Sequence, residues 1–276
     1  MPSERSSGKV ALVTGASSGF GRAIAEALHA RGYRVFGTTR QPSPEALPCG
    51  CPLVTMDVDD DASVTDAVAR VLQQAGQIDV LVNNAGVGYA GAIEDTTVAE
   101  ARAQFETNFF GMHRVCRAVL PHLRARGAGR IVNVSSLGGL VSVPFQALYC
   151  ASKFAVEAYT EALRMEVKPF GIRVAMIEPG DFATGFTARR RMTAASTAES
   201  PYAERCRTAV RQFAAEETRN RDIGPVVRAA IEAIEADRPR LRYPAASALQ
   251  RTLVALRPLL PQAVFEYLVL DNYKIR

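Results

Sequence analysis

Ser136, Tyr149 and Lys153 are the residues of this chain whose types and spacing suit a reaction. Tyr149 and Lys153 are four apart, so a helix beginning near Phe145 stacks them on one face. A tyrosine ordinarily keeps its proton until about pH 10. A lysine ammonium within a few ångströms favours the phenolate, which makes the phenol a better acid or base near neutrality. Ser136 precedes Tyr149 by 13 positions, just after the apolar run from Arg130 to Val134. If that run is a strand, its end sets a hydroxyl beside the phenol. Ser135 competes for this role, and spacing favours Ser136. The trio suits a carbonyl that gains a proton while hydride arrives from elsewhere. Taken alone, the Tyr149/Lys153 spacing is also that of an ordinary helix pair, so the rest of the chain must decide.

The elements that would position these residues alternate. Lys9–Thr14 reads as a buried strand, followed by the turn Gly15–Gly21 and a helix to about Arg31 that Gly32 closes. Tyr33–Thr38 is a second strand, and the Pro- and Gly-rich segment Gln41–Pro52 replaces a full helix with a loop. Leu53–Val58, Ile78–Asn83, Arg130–Ser135 and Ile172–Glu178 continue the strands. Helices are expected at Asp61–Ala75, about Val98–Arg126 and about Phe145–Phe170. This spacing predicts an α/β fold: a doubly wound parallel sheet, α/β/α in three layers, forming a single domain over 1–276. Past Pro179-Gly180 the rhythm breaks. Residues 181–222 read as a substrate loop or lid without a strand, and a helix (Gly224–Ala236) and a short strand (Arg240–Tyr243) come after it. An apolar, Pro-interrupted extension closes the chain at 245–276.

Gly15, Gly19 and Gly21 lie between the first strand and the first helix. Glycines there allow a tight turn and close approach of a pyrophosphate, and the helix N-terminus supplies free N–H groups and partial positive charge. Thr14-Gly-Ala-Ser-Ser-Gly-Phe-Gly21, Asn83-Asn-Ala-Gly86, Asn108, Ser136, Tyr149/Lys153 and Pro179-Gly180 together resemble the short-chain dehydrogenase/reductase family over residues 9–184. Phe20 stands where the family commonly has Ile or Leu. Val143-Pro-Phe145 and Tyr149–Phe154 are similar to the 17β-hydroxysteroid and retinol dehydrogenase branch. The resemblance implies that Ser136 holds the substrate oxygen and Tyr149 moves its proton. It implies that Lys153 binds the nicotinamide ribose and lowers the Tyr149 pKa, and that Asn108 holds a relay water. It also implies cofactor contacts from Gly15, Ser17, Ser18, Gly19, Phe20, Gly21, Thr39, Asp57, Val58, Asn84, Gly86, Tyr149, Lys153, Pro179, Gly180 and Thr184.

Cofactor choice is argued from charge. NAD sites place a carboxylate after strand two for the free ribose hydroxyl. Here that place reads Thr38-Thr39-Arg40, with no carboxylate before Glu45. A guanidinium partners a 2′-phosphate that a carboxylate would repel, so NADP(H) is expected, with Arg40 binding it. The substrate side points to an apolar carbonyl or secondary alcohol, steroid-, retinoid- or polyketide-like, in a cleft that Phe182, Phe186, Val143 and Phe145 would line. A non-catalytic NADP(H) sensor on the same fold is the alternative, although a sensor has no need of a poised phenol.

Other classes fare worse. A serine hydrolase needs a base near Ser136, yet His29, His113 and His122 all lie outside the Ser136–Lys153 stretch. No His/Cys/Asp cluster has metal-ligand spacing. A net charge of +5 without a concentrated basic face argues against nucleic acid, and Arg189–Arg191, the densest basic run, reads as a solvated, mobile turn. The five cysteines form no C-x-x-C pair and read as thiols, which suits a cytoplasmic location. The polar start at Met1–Gly8 lacks a signal-peptide pattern, and no apolar run is long enough to span a bilayer. An alanine stripe (Ala147, Ala151, Ala155, Ala158, Ala162) opposite Tyr149 on its helix predicts a homodimer or homotetramer.

Overall fold

All four side chains of Val10–Val13 (β1) are buried, because helices cover this strand on both sides. Val10 and Leu12 join the core on one face of the sheet, and Ala11 and Val13 join the core on the other. The computed structural model describes residues 8–41 and 45–276. The reading of residues 1–7, and of Pro42 to Pro44 within the loop, lies outside them.

Around β1 run Arg34–Thr39 (β2), Leu53–Thr55 (β3), Val80–Asn83 (β4), Gly129–Val134 (β6), Ile172–Pro179 (β7) and Arg242–Ala245 (β9). They form a seven-stranded parallel sheet in the order β3-β2-β1-β4-β6-β7-β9. Tyr89–Ala90 (β5) and Arg191–Met192 (β8) pair separately. Asp61–Ala75 (α2), Met112–Arg126 (α4) and Ala147–Val167 (α5) pack on one face, and Gly19–His29 (α1) and Gly224–Glu235 (α8) on the other. Local signals set these bounds. The Asp60 side chain caps α2 by accepting from the Ser63 N–H, and Gly76 ends it at φ +75°. The order of strands reverses between β1 and β4, so their C-terminal ends open a crevice.

Several boundaries differ from expectation. The run 98–126 is continuous but not uniform. Val98–Phe105 (α3) and α4 are joined by a π-helical turn, Glu106–Gly111, that contains Asn108. The last strand begins at Arg242 rather than Arg240. The third strand ends at Thr55, before Asp57 and Val58. The helix that carries Tyr149 starts at Ala147, since Phe145 stands at φ +62°. The segment 181–222 was expected to lack a strand. It contains β8, whose edge is supplied by β5 from a distant part of the chain, together with helices Gly185–Arg189 (α6) and Ala203–Arg219 (α7). The apolar extension forms Ala248–Leu256 (α9) and Gln262–Asn272 (α10), neither of which contains a fully buried residue.

Candidate active site

The turn after β1 places its glycines for different reasons. Gly15 and Gly19 adopt φ +62° and +57°, a region that costs a residue with a Cβ. A Cβ on Gly21 would lie 2.4 Å from Asn84 Nδ2 and 2.5 Å from the Gly15 carbonyl oxygen. The Asn84 side-chain amide donates to the Thr14 and Gly15 carbonyls, so this residue ties the turn to the end of β4. Ser18 is the N-cap of α1 but makes no side-chain cap, which leaves the first N–H groups of the helix facing the crevice.

Beside the turn, β6 and α5 bring the reactive groups together. Ser136 caps a short turn over Leu137–Gly139, and its Oγ accepts from the Gly138 N–H at 3.0 Å. The Ser136 hydroxyl also stands close enough to the Tyr149 phenol to lower its pKa. Lys153 is buried and donates from Nζ to the Val134 carbonyl at 2.9 Å, 5.9 Å from the centre of the Tyr149 ring. Burial holds the Lys153 pKa down to about 8, with Glu157 opposing that shift. The expected lowering of the Tyr149 pKa by Lys153 does not prevail here. Burial raises it above the ordinary phenol value, and the nearby Ser136 hydroxyl only partly offsets this. Tyr149 is therefore a neutral phenol, the form that donates a proton.

Asn108 works through its side chain. Its Oδ1 accepts from the Val87 N–H at 2.8 Å, and its Nδ2 donates to the Val87 carbonyl and to Ser152 Oγ. It clamps the β4–β5 loop to the catalytic helix. Gln104, which the sequence reading passed over, does the same one turn earlier, binding the Tyr89 N–H and the Val87 carbonyl. The signal for Gln104 was a polar residue at a core position of α3.

A cavity of about 1120 Å³ unites these groups. Of the expected residues, Gly15, Ser17, Ser18, Gly19, Phe20, Thr39, Arg40, Val58, Asn84, Gly86, Asn108, Ser136, Tyr149, Lys153, Pro179, Gly180 and Thr184 line it. Gly21 and Asp57 do not. Gly21 packs behind the turn, and the Asp57 carboxylate accepts the Asp59 N–H. Thr184 Oγ1 is engaged in capping α6 through the Phe186 N–H. Phe182, Phe186 and Val143 line the cavity, and the Phe186 ring lies 5.7 Å from that of Tyr149. Phe145 instead packs against the small core around Ala209, Phe213 and Ile275.

The arginine run is not a free turn. Arg190 forms a buried ion pair with Glu217, Arg189 donates to Ser18 Oγ, and Arg191 donates to the Tyr89 hydroxyl. All five cysteines are free thiols. Among the described residues no group of His, Cys, Asp and Glu fits a metal ion, and no helix is long and apolar enough to cross a membrane.

Residues 9–195 match the family model described as short chain dehydrogenase. The chain is a short-chain dehydrogenase/reductase. This short-chain dehydrogenase/reductase is 37% identical to a 3-ketodihydrosphingosine reductase of Bacteroides thetaiotaomicron, over 97% of its own length and 99% of the relative's. A short-chain dehydrogenase of Streptomyces avermitilis superposes with a TM-score of 0.82 at 37% identity, covering 99% of this chain and 97% of that one. A short-chain dehydrogenase/reductase of Burkholderia phymatum, solved in complex with NAD, superposes with a TM-score of 0.80 at 28% identity, covering 92% and 94%. The protein is accordingly an oxidoreductase acting on CH–OH and C=O groups. The freed N–H groups of α1 and the glycine turn fit the dinucleotide that this family uses.

Proposed function

We propose that this enzyme interconverts a ketone and a secondary alcohol on a large apolar molecule with NADP(H). The observation that carries the reading is the apolar part of the cavity wall. Leu249, Leu253 and Val254 of α9 and Phe265, Leu268 and Val269 of α10 line it, together with Phe182, Phe186 and Phe213. Such walls suit a long hydrocarbon chain or a fused ring system. The 37% identity to a reductase of 3-ketodihydrosphingosine favours the same class.

Bound nicotinamide supplies or accepts the hydride. Gly15, Ser17, Ser18 and the first turn of α1 would hold its pyrophosphate. Arg40, exposed just after β2, would meet a 2′-phosphate. On the substrate side, the Ser136 hydroxyl donates to the carbonyl oxygen and orients it. The neutral Tyr149 phenol gives that oxygen its proton. The Lys153 ammonium, fixed on the Val134 carbonyl, lies close enough to stabilise the phenolate left behind. Asn108 holds the β4–β5 loop against α5 so that this constellation stays in place.

A carbonyl panel tests the reading by following oxidation of reduced nicotinamide. Long-chain and polycyclic ketones should be turned over, with higher kcat/KM from NADPH than from NADH. A preference for small charged carbonyl compounds would overturn the substrate class. A preference for NADH would overturn the cofactor assignment.

A further inference from the structure

Behind Ser136 and Lys153 lies a group of buried acids that the chemistry above does not use. Glu157 is on α5 one turn beyond Lys153, and Glu178 is the residue of β7 immediately before Pro179-Gly180. The two are only 5% and 1% exposed. Arg242 on β9 faces both. Its single Nε–H is donated to Glu157 Oε2 at 3.2 Å, while Nη2 serves the half-exposed Glu161. Glu178 Oε1 lies 3.1 Å from the same Nε but receives no hydrogen bond from it. Glu157 Oε1 and the buried Ser135 Oγ also lack a well-formed hydrogen bond. One guanidinium thus faces three carboxylates, with too few hydrogens for the oxygens.

We propose that Glu157 and Glu178 hold one proton between them, and that this shared proton fixes the backbone segments carrying Ser136, Lys153 and the Pro179–Gly180 turn. Both carboxylates crowd the one Arg242 Nε, at 3.2 and 3.1 Å, so one proton supplies the missing donor and removes one of two like charges. The groups facing the pair are Lys153 and Glu161 on α5, Arg242 on β9 and the Ser135 hydroxyl after β6. Burial and the neighbouring Glu157 raise the Glu178 pKa to about 7, and burial also raises that of Glu157. Both residues are positioning residues, acting through the elements they join.

The sign of the pH dependence follows. The folded pair keeps a proton that the unfolded chain gives up near pH 4.3. The stability it contributes is complete in acid and is lost as the pH rises towards about 7. Glu178→Gln carries a permanent N–H donor in place of the proton. Between about pH 5.5 and 8.5 the wild-type thermal midpoint should fall roughly 3–8 °C further than that of Glu178→Gln. The wild-type KM for the cofactor should rise between about pH 5.5 and 7.5, below the Lys153 titration, while that of the variant stays level. Parallel midpoints and parallel KM profiles would overturn the proposal. Should Glu178→Gln not fold, Glu157→Gln and infrared spectra of the wild type carry the test. A protonated-carboxyl band that disappears as the pH passes about 7 supports the shared proton. Absence of that band in mildly acidic buffer refutes it. The thermal midpoints and infrared spectra do not depend on which carbonyl compound is the substrate.

Discussion

At the scale of single residues, the site divides into groups that touch the reacting atoms and groups that hold them. Tyr149 is proposed for the first kind, since burial raises its pKa and leaves it protonated beside Ser136. Tyr149→Phe should lower kcat by about 100- to 10,000-fold while cofactor affinity, read by fluorescence titration, stays nearly unchanged. A loss below about tenfold would remove the phenol from proton transfer. Lys153 titrates near 8, so cofactor affinity should weaken as the pH rises past that value. Lys153→Arg keeps its charge throughout and should flatten that dependence; an equal decline in both proteins would assign it elsewhere. Arg40→Asp should shift the NADPH/NADH ratio of kcat/KM towards NADH, and an unmoved ratio would place Arg40 away from the phosphate.

At the scale of elements, the segment over the cleft is held by one buried pair. The Arg190 and Glu217 side chains are 5% and 11% exposed, and Glu217 also accepts from Thr187. Removing one partner leaves a buried charge uncompensated, a loss of about 3–5 kcal/mol when the surroundings stay shut. Glu217→Gln should therefore open α6 and β8, seen as faster proteolytic cleavage between 181 and 202, and raise the substrate KM. Unchanged cleavage would mean that the segment is held by its other contacts, such as the Arg189–Ser18 and Arg191–Tyr89 hydrogen bonds. The arginine run looked like a solvated turn because a charge run says nothing about its partners. Glu217 lies 27 positions further on, and only the return of α7 brings it back.

At the scale of the molecule, the face of α5 opposite Tyr149 remains open. Ala151, Ala158 and Ala162 are exposed and Ala155 half-buried, and Phe154 (42% exposed) and, on the neighbouring π-helical turn, Phe110 (46%) are open to solvent. Small side chains between exposed rings allow close approach of a second helix. Sedimentation at micromolar concentration should show more than one chain, and Ala155→Glu with Ala158→Arg should dissociate it. A wild-type monomer throughout that range would end this expectation.

What the sequence determined by itself was the sheet, the glycine turn after β1 and the shared helix face of Tyr149 and Lys153. Each rests on local rules: the unbroken apolar run of β1, positive φ at Gly15 and Gly19, and one helical turn between Tyr149 and Lys153. The tertiary structure decided what depends on distant partners. Asn108 became a clamp because a π-helical turn aims its amide at Val87, 21 positions away. The pKa of Tyr149 rose because burial outweighs the nearby Ser136 hydroxyl, while the Lys153 ammonium is anchored on the Val134 carbonyl. β8 exists because β5 pairs with it, and the apolar tail became a cavity wall because its helices fold back over Tyr149's cleft. Spacing along a chain fixes which residues can share a face; only the closed fold fixes how dry that face is and which charges it meets.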